Sequence, residues 1–281
     1  MSLTYLNIHP LMKKYKIRPK KSLGQNFLVE SAGLNKVIQA AALDPNDEVL
    51  EIGAGLGSLT YLLAQSSRKV TAVEIDRAMF SPLREALLTF DNVNIVEGDI
   101  LELKVETLIE SQNYVVVANI PYYISSAIIR HLMEACLRPR RVVLTVQKEV
   151  AERILARDGK MSLLSLSVQV FGQVSMAGVI PAGSFLPAPD VDSAVLKIEL
   201  YPEPLIPLEL HESFFKLAQA GFSQKRKTLR NSLSAGLHLP TSETERLLES
   251  SQIDSNRRAE VLSLQEWQLL TQNYLEIKGK A

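Results

Sequence analysis

Residues 49–57, VLEIGAGLG, restrict what this chain can fold into more than any other stretch. Strand-forming aliphatic residues run directly into glycines at Gly53, Gly55 and Gly57, and the helix-forming SLTYLLAQ follows. A strand, a glycine turn and a helix in that order open a βα unit, and they bring backbone N–H groups and a helix N-terminus up to a ligand. Glu74 comes 21 residues after Gly53, at the end of the apolar run KVTAVEID. A carboxylate at that strand tip accepts hydrogen bonds from the hydroxyls of a ribose. The pattern therefore predicts a nucleoside-containing ligand.

The glycine spacing narrows the choice. Dinucleotide-binding turns read G-x-G-x-x-G, or alanine in the last place. Here that place is Ser58, and the third glycine falls one residue early. G-x-G-x-G is the pattern of methyltransferases that use S-adenosylmethionine, a cofactor with no pyrophosphate to cradle. The same residue disfavours a dehydrogenase.

The strand–helix alternation continues downstream. Strands are predicted at 48–53, 69–75, 93–97, 114–119 and 141–146, with helices at 58–65, 77–88, 105–111 and 125–135 between them. Upstream, Leu34, Val37, Ile38, Ala41 and Ala42 repeat at helical spacing, with Ser31 as the expected N-cap. The unbroken YVVVAN reads as a strand buried on both faces. Such alternation predicts a doubly wound α/β sheet. GQVSMAGVI and AVLKIEL read as closing strands, whereas GKMSLLSLSVQVFG fits helix and strand equally. YPEPLIP, with three prolines in seven residues, reads as a linker. Beyond it HESFFKLAQAGF, KTLRNSLSAGL, SETERLLES and SLQEWQLLTQNYL are all helix-like. The expected organisation is an N-terminal arm and α/β domain over 1–203, then a small all-helical domain over 204–281.

Composition excludes several classes. No apolar run approaches the ~18–20 residues of a membrane helix, and no signal-peptide pattern opens the chain. A single cysteine, Cys136, rules out a disulfide framework, and the four histidines lack zinc-ligand spacing, so no metal is expected. The reducing cytoplasm is the expected compartment. Basic and acidic residues balance at 31 each, so any nucleic-acid footprint lies in their distribution. Lys13, Lys14, Lys16, Arg18, Lys20 and Lys21 precede the first acidic residue, Glu30. Arg138, Arg140 and Arg141 form a second group; Lys225, Arg226, Lys227 and Arg230 form a third in FSQKRKTLR. Each is a candidate phosphate footprint, with solvated surface charge as the alternative.

Ligands of open α/β sheets sit at the carboxyl ends of the strands. Those ends carry Gly53, Glu74, then Asp99 and Ile100, then Asn119, Ile120, Pro121 and Tyr122. Asp99 can accept from the exocyclic amine of an adenine while Ile100 offers its ring an apolar face. NIPYY carries the chemistry. An amine conjugated to an aromatic ring is a poor nucleophile, because its lone pair is delocalised. The Asn119 amide oxygen and the Ile120 carbonyl can accept its N–H bonds and favour a pyramidal nitrogen. Pro121 fixes the turn and Tyr122 can stack on the base. Alignment with a sulfonium methyl then supplies most of the acceleration, and a target in a duplex must be flipped out to reach it. Phe185, in GSFLPAPDVDSAV on a loop stiffened by Pro187 and Pro189, is a candidate second lid on that base; the alternative is a core plug.

GQNFL at 24–28, LEIGAGLGSLT, VEID, EGDIL, NIPYYISS, SFLPAPDVDSAV and FSQKRKTLRNSL occur in that order. With them the chain resembles the ribosomal RNA small-subunit adenine N6,N6-dimethyltransferases over roughly residues 20–233. The resemblance implies a Rossmann-like class I S-adenosylmethionine-dependent methyltransferase domain with a helical C-terminal docking domain. It carries cofactor contacts onto Asn26, Leu28, Gly53, Glu74, Ile75, Asp99, Ile100 and Asn119, and places Glu51 beside the cofactor. It implies catalytic roles for Asn119, Pro121, Tyr122 and Phe185, the last two sandwiching the target base, and RNA contacts for Lys225, Arg226, Lys227 and Arg230. The implied reaction dimethylates two adjacent adenosines in the 3′-terminal hairpin loop of 16S rRNA, on the small subunit or its precursor, by a monomer with a role in subunit biogenesis. Two rivals are a large-subunit rRNA adenine methyltransferase of the antibiotic-resistance type and a non-catalytic assembly or transcription factor. Six acidic against three basic residues over 241–266 disfavour the former, and an intact NIPY the latter.

Overall fold

The apolar strands pair into a seven-stranded sheet in a computed structural model that describes residues 3–121, 124–157 and 159–279. In chain order the elements are α1 (His9–Lys14), β1 (Phe27–Leu28), α2 (Ser31–Ala41), β2 (Glu48–Ile52), α3 (Ser58–Ser66), β3 (Lys69–Glu74), α4 (Phe80–Ala86) and β4 (Val93–Glu97). Then come β5 (Tyr114–Asn119), α5 (Ser125–Glu134), β6 (Arg141–Gln147), α6 (Lys148–Leu155), α7 (Leu163–Gln169), β7 (Gly172–Ile180), β8 (Phe185–Leu186) and β9 (Ser193–Leu200). Four helices close the chain: α8 (His211–Phe222), α9 (Leu229–Leu237), α10 (Thr241–Ser250) and α11 (Leu264–Gly279).

The sheet order is β4-β3-β2-β5-β6-β9-β7. The pairs among β2–β6 are parallel, and β9 runs antiparallel to β6. From β2 the chain winds outward through β3 to β4, then returns to the other side of β2 as β5. The reversal leaves a crevice beyond the carboxyl ends of β2 and β5. Central strands must be apolar on both faces, and Val115, Val116 and Val117 of β5 are fully buried. Leu34 and Val37 of α2 and Leu59, Leu62 and Leu63 of α3 pack with Val49, Val70, Val115 and Val117 in one core. Each such side chain contributes about 1.5–3 kcal/mol on burial.

The structure departs from the predicted elements where side chains intercept backbone groups. Glu30, not Ser31, occupies the α2 N-cap position, and its carboxylate takes the Ser184 hydroxyl instead of capping. The helix expected over 105–111 is a single 3-10 turn, Val105–Thr107, because the buried Glu48 carboxylate captures the N–H groups of Glu110 and Ser111. The helix expected over 77–88 opens as a 3-10 turn capped by Asp76 and ends at Ala86. The ambiguous GKMSLLSLSVQVFG forms α7, selected by a reciprocal capping box between Ser162 and Ser165.

The chain divides into two compact units. One holds the residues up to Ala151 together with Gln173–Leu200; the other holds Glu152–Gly172 and the residues from Tyr201 onward. Hydrophobic periodicity did not set 152–172 apart from the sheet. They join the helices because α7 packs on α8, and because Tyr201 and Leu205 donate backbone hydrogen bonds to Phe171 and Val170. In that unit α8–α11 pack together, and a Cβ on Gly221 of α8 would lie 2.7 Å from the ring of Trp267, fully buried on α11. No helix among the described residues is long and apolar enough to cross a membrane.

Candidate active site

A cavity of about 260 Å³ occupies the crevice. Its lining includes Asn26 and Leu28 from the arm, Glu51 and Gly53 from β2 and its turn, and Glu74 and Ile75 after β3. Asp99 and Ile100 after β4 complete it with Asn119 and Pro121 after β5. Every predicted cofactor residue therefore faces one space. Phe27, Leu101 and Ile128 also line it, and the sequence reading assigned them nothing.

Gly53, Gly55 and Gly57 all adopt positive φ, at 78°, 56° and 88°. At Gly53 a Cβ would also sit 3.3 Å from the Asn119 carbonyl oxygen, so the turn can approach β5 only without a side chain. Four N–H groups of the turn are used internally, against the sequence expectation of bare donors. Gly53 and Ala54 donate to the Val73 carbonyl, Gly57 donates to Ala54, and Gly55 donates to the Glu74 carboxylate at 2.7 Å. The reason is the tight β2–β3 pairing, which brings acceptors to the turn.

Glu74 is held at both oxygens, since the Asp76 N–H donates to Oε1 at 2.8 Å. Burial raises its pKa, opposed by those backbone donors. A carboxylate has about four acceptor sites, so lone pairs stay free for two hydroxyls. Glu51 is buried in the cavity wall with Oε2 unpartnered among the described residues. Burial pushes its carboxyl up to about 8; Thr60 pulls it down and the Glu74 charge adds to the rise. An orphaned buried acceptor of this kind calls for a donor from a ligand. Asp99 uses Oδ1 to accept from Leu101, and Ile75, half exposed at 51%, offers an apolar face at the rim. Ribose acceptor, apolar ring faces and a buried carboxyl that an ammonium would ionise fit S-adenosylmethionine.

At the tip of β5 the Asn119 amide donates to the Asn26 carbonyl at 3.0 Å. With its NH₂ engaged there, the amide presents Oδ1 as an acceptor. Tyr122 lies outside the described residues. Phe185 is 4% exposed and packs in the core with residues of α2 and α3, beside the cavity-lining Leu28. The cause is the two-stranded ladder in which Leu28 pairs with Phe185 and Phe27 with Leu186.

The basic clusters also sort. Lys14 pairs with Glu85 at 2.5 Å and Lys20 with the buried Asp76 at 2.7 Å. Arg140 grips Asp47 with both terminal nitrogens, and Arg141 pairs with Glu199 at 2.8 Å. Arg140 and Arg141 are largely buried in their pairs, whereas Lys14 and Lys20 stay about half exposed. Arg230 pairs with Glu245 at 2.8 Å. Lys225, Arg226 and Lys227 are exposed on the α8–α9 loop, with no ion pair among the described residues.

Fold and cavity define a class I S-adenosylmethionine-dependent methyltransferase. The ribosomal RNA adenine dimethylase family matches residues 17–275. The chain is 42% identical over 265 residues to a "Ribosomal RNA small subunit methyltransferase A" of Dehalococcoides mccartyi, covering 94% of this chain and 91% of that protein. Among solved structures, a dimethyladenosine transferase from Plasmodium falciparum superposes with a TM-score of 0.78 at 29% identity, covering 90% of this chain and 98% of that one. The 23S rRNA methyltransferase ErmE follows with 0.68 at 26%, covering 88% and 99%. The chain belongs to the ribosomal RNA adenine dimethylase family.

Proposed function

We propose that this protein dimethylates N6 of two adjacent adenosines in the 3′-terminal hairpin loop of 16S rRNA, acting as a cytoplasmic monomer on the small subunit or its precursor. The observation that carries the reading is the Asn119 amide, oriented by Asn26 at the mouth of a cavity built around Glu74. The small-subunit assignment rests on the relative named for that subunit, and the dimethyladenosine transferase matches better than the 23S enzyme.

S-adenosylmethionine supplies an electrophilic methyl group on a sulfonium. Glu74 holds the ribose hydroxyls, Glu51 faces the ammonium end, and Asp99 with Ile100 receives the adenine. Asn119 Oδ1 and the Ile120 carbonyl accept the two N–H bonds of the target amine and turn its lone pair out of conjugation. Asn26, Leu28 and Pro121 line the approach and would hold the nitrogen in line with the methyl of a bound cofactor. Once methylated, the nitrogen is acidic and loses its proton to water, so no strong base is needed. Lys225, Arg226 and Lys227 contact rRNA phosphates, the part of RNA recognition that depends on shape rather than sequence.

The test is incubation with labelled cofactor and small subunits from an unmethylated strain, followed by mapping of the label. Label in N6,N6-dimethyladenosine of the 3′-terminal loop supports the reading, and its loss in Asn119→Ala places the chemistry. Label in large-subunit rRNA, or none, rejects it.

A further inference from the structure

One buried carboxylate in this region has no part in the chemistry above. Asp76 follows the ribose-binding Glu74 by two residues, and its side chain is 2% exposed. Its Oδ1 takes the Lys20 ammonium at 2.7 Å and the Ala78 N–H at 3.1 Å; its Oδ2 takes the Gln25 amide at 2.7 Å. Gln25 in turn accepts from the Lys20 backbone N–H at 2.8 Å. Both partners lie on the arm, and Gln25 immediately precedes Asn26. The segment after Asn26 is pinned separately, by the ladder of Phe27 and Leu28 with 185–186 and by the Ser184 hydroxyl on Glu30.

Hydrogen bonds linked through the chain thus join the ribose acceptor to the amine acceptor. Glu74 holds the Asp76 N–H, Asp76 holds Gln25, and the next residue, Asn26, holds the Asn119 amide through its main-chain carbonyl. An asparagine amide is nearly symmetric in shape, so only its partners decide whether oxygen or nitrogen faces a ligand. Here the deciding partner is a carbonyl on an arm that Asp76 anchors.

We propose that Asp76 is a positioning residue for methyl transfer: by anchoring Lys20 and Gln25 it places the Asn26 carbonyl that turns the Asn119 amide oxygen toward the target amine. The arm is then part of the catalytic geometry as well as a wall of the cofactor site. This rests on the proposed methyl transfer, and the wild-type protein in the same assay reports on that reading separately.

The experiment is single-turnover methylation of unmethylated small subunits, with cofactor and subunit each raised to saturation, for wild type, Asp76→Asn, Gln25→Ala, Lys20→Ala and Lys20→Arg. Asparagine still caps the turn at 77–79, and Gln25→Ala serves if Asp76→Asn fails to fold. The saturated rate is expected to fall roughly 10- to 100-fold in Asp76→Asn and Gln25→Ala, the usual effect of ångström-scale misplacement. Lys20→Arg should retain most of the rate that Lys20→Ala loses. Variants that bind cofactor less tightly yet reach the wild-type rate at saturation would overturn the proposal and leave the arm as a wall only. An inactive wild type would instead refute the methyl-transfer reading.

Discussion

Glu74→Ala separates the two jobs of one carboxylate. In the unliganded protein Glu74 accepts from Gly55 at 2.7 Å and from Asp76 at 2.8 Å. Its removal leaves both donors at the cavity wall without an acceptor. An unsatisfied buried donor costs about 1–3 kcal/mol, and water entering the vacated space offsets part of this, so a stability loss of about 2 kcal/mol is expected in urea unfolding. The fold survives such a loss, because domains have roughly 5–15 kcal/mol in hand. Ligand binding loses a further set of hydrogen bonds, from ribose hydroxyls to a charged acceptor, again about 1–3 kcal/mol. That corresponds to a roughly 5- to 150-fold weaker Kd for S-adenosylmethionine by titration calorimetry. A cofactor analogue lacking the ribose hydroxyls should bind variant and wild type alike. A variant that is less stable but binds the cofactor with unchanged affinity would refute the ribose assignment while leaving the structural role intact.

Glu51→Gln addresses pH. The folded carboxyl titrates near 8, well above its ordinary value, so the folded state binds the extra proton and wild-type stability falls as pH rises from about 4.5 to about 8. The slope reaches at most about 1.4 kcal/mol per pH unit for one proton; the glutamine variant should flatten urea midpoints over that window, and an unchanged slope rejects the assignment. Replacing Lys225, Arg226 and Lys227 with neutral residues should weaken subunit binding and reduce the log–log salt slope by roughly 2–3 if all three contact phosphates. A wild-type slope would return them to plain surface charge. Gly53→Ala forces a side chain into positive φ beside the Asn119 carbonyl, at a cost of about 1–2 kcal/mol. It should also slow methyl transfer by displacing β5, and wild-type stability would show that the turn relaxes freely.

Much of the site was legible because its residues sit at strand ends, where short apolar runs stop at polar or glycine residues. Gly53, Glu74, Asp99 and Asn119 are each marked by such a stop, and all four line the cavity. Phe185 admits two readings from sequence because an aromatic beside prolines looks the same on a lid as in a core; its pairing with Leu28 across the ladder is non-local. Lys14, Lys20, Arg140 and Arg141 read as a phosphate footprint because their partners lie 71, 56, 93 and 58 residues away. The Asp76 anchor went unseen for the same reason, and Asp76 itself looked like the end of VEID.

The sequence by itself determined the strand–helix alternation, the buried central strands and the polar residues at their tips, because periodicity and glycine spacing are local. Only the tertiary structure decided which charges meet in ion pairs, which way the Asn119 amide faces, and that four of the turn donors are used internally. Those outcomes depend on partners brought together by folding, and a linear pattern carries no record of them.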